Sequence, residues 1–189
     1  MENPLGRSEN VCVTIQRGFM SKKAFIAVDI QNIWYSAREA FGPTYRVDFK
    51  RLRDLIGSNL GEGTSIEAIA YVVVGPEHDN TKFINMLELI GFIVKKRHLR
   101  HDKVRGQFSR TDWDVGVTVD TMKRSCAEDF DVFVLVSGDG DYYLLCQAIK
   151  EAGQEVLIYT FEHSASNSLK YVSDELYLLN RDLVFNAKR

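Results

Sequence analysis

Five short strand-like runs, separated by longer amphipathic stretches, constrain this chain more than any other feature. They are Ala24–Val28, Ile66–Val74, Phe92–Leu99, Val132–Val136 and Glu155–Thr160. Each has the length of a strand, and all but Phe92–Leu99, which carries Lys95-Lys96-Arg97-His98, are mainly apolar. The stretches between them read as helices: Asn32–Phe41, stopped by Gly42-Pro43; Phe49–Leu60, capped by Asp48 with Leu52, Leu55 and Ile56 on one face; Thr81–Ile90; and about Trp113 to Ala127. A further helix starts at Asp141 or Tyr142 and runs to Ala152, with Gly153 as its stop. A short helix near Leu169 and a weak strand, Leu176–Leu179, complete the pattern. Strand and helix alternating in this way imply right-handed βαβ units and a mostly parallel sheet. The expectation is one three-layer α/β domain over residues 20–189, preceded by a loosely ordered extension, residues 1–19.

Composition narrows the function classes. At 189 residues with 45% hydrophobic side chains, the chain suits a single core and excludes wholesale disorder. No run approaches eighteen consecutive apolar residues, so no transmembrane helix is expected. Net charge is −2, and any nucleic-acid footprint must therefore be local. Cys12, Cys126 and Cys146 are scattered and odd in number, which argues against a disulfide framework or a zinc site and for a reduced, cytoplasmic protein.

Four aspartates stand where ligands bind in an α/β sheet. Asp29 closes the first apolar run, and Asp139 and Asp141 follow the fourth within Ser137-Gly138-Asp139-Gly140-Asp141. The carboxyl ends of parallel strands are where such folds bind ligands. Asp114 lies at the start of the Trp113 helix. Carboxylates crowded at one edge repel unless a cation sits among them, so a Mg²⁺ site is expected, with Asp29, Asp139 and Asp141 around a common point and Asp114 opposite. Asn32 and Ser137 can position substrate or the acids themselves. Asp120 is about 120° around the helix from Asp114, so it serves as support or is solvated. The plainer alternative is that Asp29 and Asp141 only cap the helices that follow them.

Lys95, Lys96, Arg97, Arg100, Lys103, Arg105 and Arg110 form a basic stretch that leads into the Asp114 helix. Beside an acidic metal site, such cations suit a phosphodiester substrate. Lys103, Arg105 and Arg110 are the candidate phosphate contacts, and Phe108 a stacking ring. A solvated edge strand protected by lysines is the competing reading.

Three segments carry a family resemblance: Val28-Asp29-Ile30-Gln31-Asn32, Trp113-Asp114-Val115-Gly116-Val117-Thr118-Val119-Asp120 and Ser137-Gly138-Asp139-Gly140-Asp141-Tyr142. In order, they resemble the motifs of NYN domains, PIN-like nucleases, and most of all their bacterial LabA-like branch. The similarity spans about Lys23 to Leu179 and includes Ser168, Leu169 and Asp174. It implies a PIN-like α/β fold and Mg²⁺- or Mn²⁺-dependent hydrolysis of RNA; an open site at a sheet edge suits a single-stranded or locally unpaired RNA better than a duplex. Asp29, Asp114, Asp139 and Asp141 would be the catalytic and metal-binding set, with Asn32, Asp120 and Ser137 around them. Thr111 stands where many members have a lysine. That departure favours the alternative, an RNA-binding or regulatory interaction module with little or no turnover. A homo-oligomer is left open.

Rival chemistries lack their motifs. The chain has neither Gly-x-Gly-x-x-Gly after the first strand nor Gly-x-x-x-x-Gly-Lys-Ser/Thr, and no Gly-x-Ser-x-Gly elbow. His78, His98, His101 and His163 show no metal-ligand spacing.

Overall fold

The structure, a computed structural model, describes residues 21–75, 80–99, 101–102, 107–108 and 112–188, with the backbone alone for 101–102 and 107–108. The expectation for residues 1–19 lies outside this set.

The main sheet contains β1 (Lys23–Asp29), β3 (Ser65–Val74), β4 (Ile93–His98), β7 (Val132–Val136), β8 (Glu155–Phe161) and β9 (Glu175–Leu179). Its order is β4-β3-β1-β7-β8-β9, and every pairing is parallel. Two small antiparallel ladders went unread in the sequence. One pairs β2 (Tyr45–Val47) with β10 (Val184–Asn186). The other pairs β5 (His101–Asp102) with β6 (Gln107–Phe108), within the basic stretch. Too short to carry periodicity, these strands leave no sequence signal.

Among the described residues six α-helices cover the sheet: α1 (Ile30–Phe41), α2 (Phe49–Leu60), α3 (Thr81–Leu89), α4 (Asp114–Cys126), α5 (Tyr143–Glu151) and α6 (Asn167–Val172). The central strands are apolar on both faces because both faces are covered. Alternation divides them cleanly. Ala24, Ile26 and Val28 of β1 join Val132, Val134 and Val136 of β7 in one core, beneath Ile33, Leu52, Ile56 and Leu87 of α1–α3. Phe25 and Ala27 join Phe133 and Leu135 in the opposite core, beneath Val117, Leu145, Ile149 and Leu169 of α4–α6. The expected three layers are present. Asp48 caps α2 as anticipated, its carboxylate accepting from the Arg51 N–H at 3.0 Å.

Strand order sets the site. From β1 the chain winds outward through β3 to β4, then returns across the sheet through α4 to β7 and winds the other way. The winding reverses between β1 and β7, and the crevice beyond their carboxyl ends is the ligand position of such sheets. Period two then decides which side chains face it. Asp29 and Ser137 continue the Phe25–Ala27 and Phe133–Leu135 rows, so they emerge on the face covered by α4 and α5.

Candidate functional site

Asp29 performs two tasks. Its Oδ1 caps α1, accepting from the Asn32 N–H at 3.0 Å. Its Oδ2 accepts from the Tyr142 hydroxyl at 3.3 Å on the opposite side. Capping therefore holds, but as part of the site rather than instead of it. Burial, offset in part by the Asn32 N–H, pushes the Asp29 carboxyl up to about 6, and the Asp114 carboxylate adds to the rise.

Asn32 is not a solvated helix residue. Its Oδ1 accepts from the Gly138 N–H at 3.0 Å and so pins α1 to the loop after β7. Ser137, fully buried, accepts from the Asp139 N–H at 3.2 Å, and Asp139 in turn accepts from the Asp141 N–H at 3.1 Å. The helix expected from Asp141 or Tyr142 begins instead with a 3-10 turn, Gly140–Tyr142, before α5. The tighter turn delivers Asp139 and Asp141 from one loop. Gly138 has no alternative there: a Cβ would lie 2.2 Å from the Ser164 carbonyl oxygen and 2.6 Å from Thr160 Oγ1.

Asp114 arrives on α4, held in place by its neighbour. The Trp113 indole N–H donates to the Val72 carbonyl of β3 at 3.0 Å, and its ring lies edge-on to Tyr71 at 5.3 Å. The ring also fills the space above Gly116, where a Cβ would sit 2.4 Å from it. Burial raises the Asp114 pKa, and the carboxylates of Asp112, Asp139 and Asp141 push in the same direction against the Tyr142 hydrogen bond.

Carboxylate oxygens of Asp114, Asp139 and Asp141 lie within 4.8 Å of one another. Asp29 is not in that group: it stands one hydrogen bond behind, through Tyr142, whose hydroxyl is also 3.0 Å from Asp114 Oδ1. The sequence reading placed Asp29 beside Asp139 and Asp141 with Asp114 opposite; the three whose oxygens converge are Asp114, Asp139 and Asp141, while Asp29 accepts from the Asn32 N–H and the Tyr142 hydroxyl. Three hard oxygen donors at this spacing, with no cation paired to them among the described residues, fit a divalent ion such as Mg²⁺ or Mn²⁺.

Asp120 points elsewhere. Its Oδ2 accepts from Lys95 at 2.5 Å and from the Tyr71 hydroxyl at 3.0 Å, tying α4 to β3 and the edge strand β4. Arg97, also on β4, donates to the Asp112 carbonyl at 2.7 Å and lies over the Trp113 ring. Part of the basic stretch thus fastens the Asp114 helix. Lys103, Arg105, Arg110 and Thr111 lie outside the described residues, as does the Phe108 side chain.

Tyr142 is a site residue to which the sequence reading gave no role, having named it only as a helix start and as the end of the third motif. Its signal was available: Tyr142, Leu145, Cys146 and Ile149 share the i, i+3, i+4, i+7 spacing of a buried helix face. Burial, then the flanking Asp29 and Asp114 carboxylates, push its phenol far above the ordinary value, so it remains a proton donor.

A parallel three-layer sheet with acids converging beyond β1 and β7 defines a PIN-like α/β protein. The chain belongs to the NYN domain family, which matches residues 23–180. It is 24% identical over 166 residues to the low amplitude and bright protein LabA of Synechococcus elongatus, covering 86% of each chain. A crystal structure of a protein of unknown function, VPA0982 from Vibrio parahaemolyticus, is similar at 28% identity with a TM-score of 0.73, covering 87% of this chain and 97% of that one. Among the described residues no helix is long and apolar enough to cross a membrane.

Proposed function

We propose that the protein is a metal-dependent ribonuclease that hydrolyses phosphodiester bonds of single-stranded or locally unpaired RNA. The observation that carries this reading is the convergence of Asp114, Asp139 and Asp141 within 4.8 Å at the reversal point of the sheet of an NYN domain. These three carboxylates would hold Mg²⁺ or Mn²⁺ directly. A bound divalent ion supplies a water of lowered pKa and positive charge against the phosphate. The chain supplies the rest. Tyr142 fixes Asp29 and Asp114 relative to each other, and Asn32 and Ser137 hold the loop that presents Asp139 and Asp141. Asp29 contributes negative charge behind the trio, close enough to strengthen cation binding. Lys103, Arg105 and Arg110 would take backbone phosphates as the strand approaches α4, with Phe108 under a base. A reduced, cytoplasmic setting suits such a substrate, and the thiols of Cys126 and Cys146 are free.

The test is incubation of the full chain with labelled single-stranded RNA, with and without Mn²⁺. Cleavage that requires the ion supports the reading. Binding without cleavage under every metal condition would leave the RNA-binding module in its place, the outcome that Thr111 in the position of the family's lysine favours.

A further inference from the structure

We infer that the outward face of α1 is a docking surface for single-stranded RNA, with Tyr35 as a base-stacking ring and Arg38 as a phosphate contact. The inference rests on the ribonuclease reading and adds a subsite to it, on different residues from the basic stretch.

Helical spacing separates two faces of α1. Ile30, Ile33 and Ala37 are buried against the sheet. Gln31, Tyr35 and Arg38 follow one another at i, i+4 and i+7 on the outward stripe. Tyr35 is 56% exposed, yet it is braced: its ring meets Trp34 edge to face, with centroids 4.8 Å apart and planes at 74°. A ring fixed in this way loses little freedom when a base stacks on its open side.

Arg38 lies over the half-buried Trp34, its guanidinium carbon 4.2 Å from the ring centroid, and Arg46 of β2 is 5.7 Å from the same ring. The two cations are not equivalent. Arg46 donates to the carbonyls of Pro43 and Tyr45, at 2.9 and 2.8 Å. Arg38 makes no hydrogen bond or ion pair through its guanidinium among the described residues, so its donor fork is available. The adjacent acid, Glu39, turns toward His163, 3.9 Å away.

An exposed aromatic next to a free guanidinium is the pairing that single-stranded nucleic acid uses: the ring takes a base face and the cation a phosphate. A duplex keeps its base faces stacked and offers nothing to Tyr35. α1 covers the sheet face opposite to α4 and α5, so a strand passing from the carboxylates to Tyr35 and Arg38 crosses the sheet edge at the Asp29 cap.

The test is fluorescence anisotropy of the full-length protein with a labelled, unstructured oligouridine in EDTA, where no metal-dependent cleavage can occur. Tyr35→Ala should weaken binding about 10-fold, Tyr35→Phe should retain it, and a duplex of equal length should not respond to either change. Arg38→Ala should lower the slope of log affinity against log salt by about 0.7. If Tyr35→Ala fails to fold, Arg38→Ala carries the test, since it removes no hydrogen bond. Wild-type affinity and salt slope in both alanine variants would overturn the surface, as would absence of binding by the wild type. Mn²⁺-dependent cleavage is read in parallel. Cleavage with unaffected variants discards the surface and leaves the nuclease, whereas binding lost with Tyr35 in a protein that never cleaves keeps the surface and discards the nuclease.

Discussion

Two sets of acids share the layer formed by the sheet and α4–α6, and they are treated in opposite ways. Glu67, Asp120 and Asp174 each have a cation: Arg124, Lys95 and Lys150, respectively. Asp29, Asp114, Asp139 and Asp141 have none among the described residues and make do with a phenol and backbone N–H groups. The first set joins elements, α4 to β3 and β4, and α5 to the segment entering β9. The second accumulates repulsion at one edge. Paired acids therefore contribute to the fold, while unpaired acids hold a deficit that only an incoming cation relieves.

The sharpest way to break this contrast is Asp139→Asn. It should reduce Mn²⁺-dependent RNA cleavage by more than about 100-fold, since losing even a residue that supports a ligand costs 10–100-fold. Without metal, the same variant should melt at or above the wild-type temperature, because one repelling charge is gone. Strong destabilisation in metal-free buffer would move Asp139 into the structural set.

Acid should separate the two sets in sign. The folded chain retains a proton on Asp29 up to about pH 6, whereas the unfolded chain releases it near 3.8. More protons are then bound in the folded state, so metal-free stability falls as pH rises from about 4 to about 6 and is level above, by up to roughly 3 kcal/mol at full linkage. Asp114, also raised, acts in the same direction. Asp174 behaves oppositely. Burial works against its charge, but Lys150 and the Val156 N–H outweigh it and lower its pKa, so its contribution exists above the unfolded value and is lost on stronger acidification. Urea melts of wild type and Asp29→Asn from pH 4 to 7 check this. A wild-type profile no steeper than that of the variant would remove Asp29 as the source.

Asp120→Ala should cost about 1–3 kcal/mol, because it orphans the fully buried Tyr71 hydroxyl and frees Lys95. Cleavage by the remaining folded protein should change far less than in Asp139→Asn. A loss of cleavage out of proportion to stability would return Asp120 to the ion site. The smallest effect belongs to the exposed Lys50–Asp54 pair on α2, both side chains more than half in water. Lys50→Ala should leave the urea midpoint almost unchanged, since an exposed pair is screened by water. A shift as large as that of Asp120→Ala would show that pairing alone, without burial, matters in this protein.

The central strands were legible because each is apolar on both faces and bounded by turn residues, and Asp29 and Asp139 because they interrupt those runs at the crevice. What the sequence concealed was partnership. Nothing local says that Asp120 faces Lys95 while Asp114, six residues earlier on the same helix, faces Asp139. That choice depends on the angle at which α4 crosses the sheet, which Trp113 sets through Val72, forty-one residues away in the chain. Tyr142 was hidden for a similar reason: its apolar periodicity is local, but its two carboxylate partners come from β1 and α4.

The strand order also fixes a timetable. β1 lies at the centre, yet one of its neighbours, β7, is separated from it in the chain by everything from α1 to α4. At ordinary synthesis rates, the ribosome needs on the order of 5–20 s to deliver that interval. Until then β4, β3 and β1 can assemble only as a half-sheet, with the apolar margin of β1 bare. Asp29 emerges early, Asp114 later, and Asp139 and Asp141 last of all. A growing chain therefore carries no complete carboxylate cluster until the loop after β7 has been made.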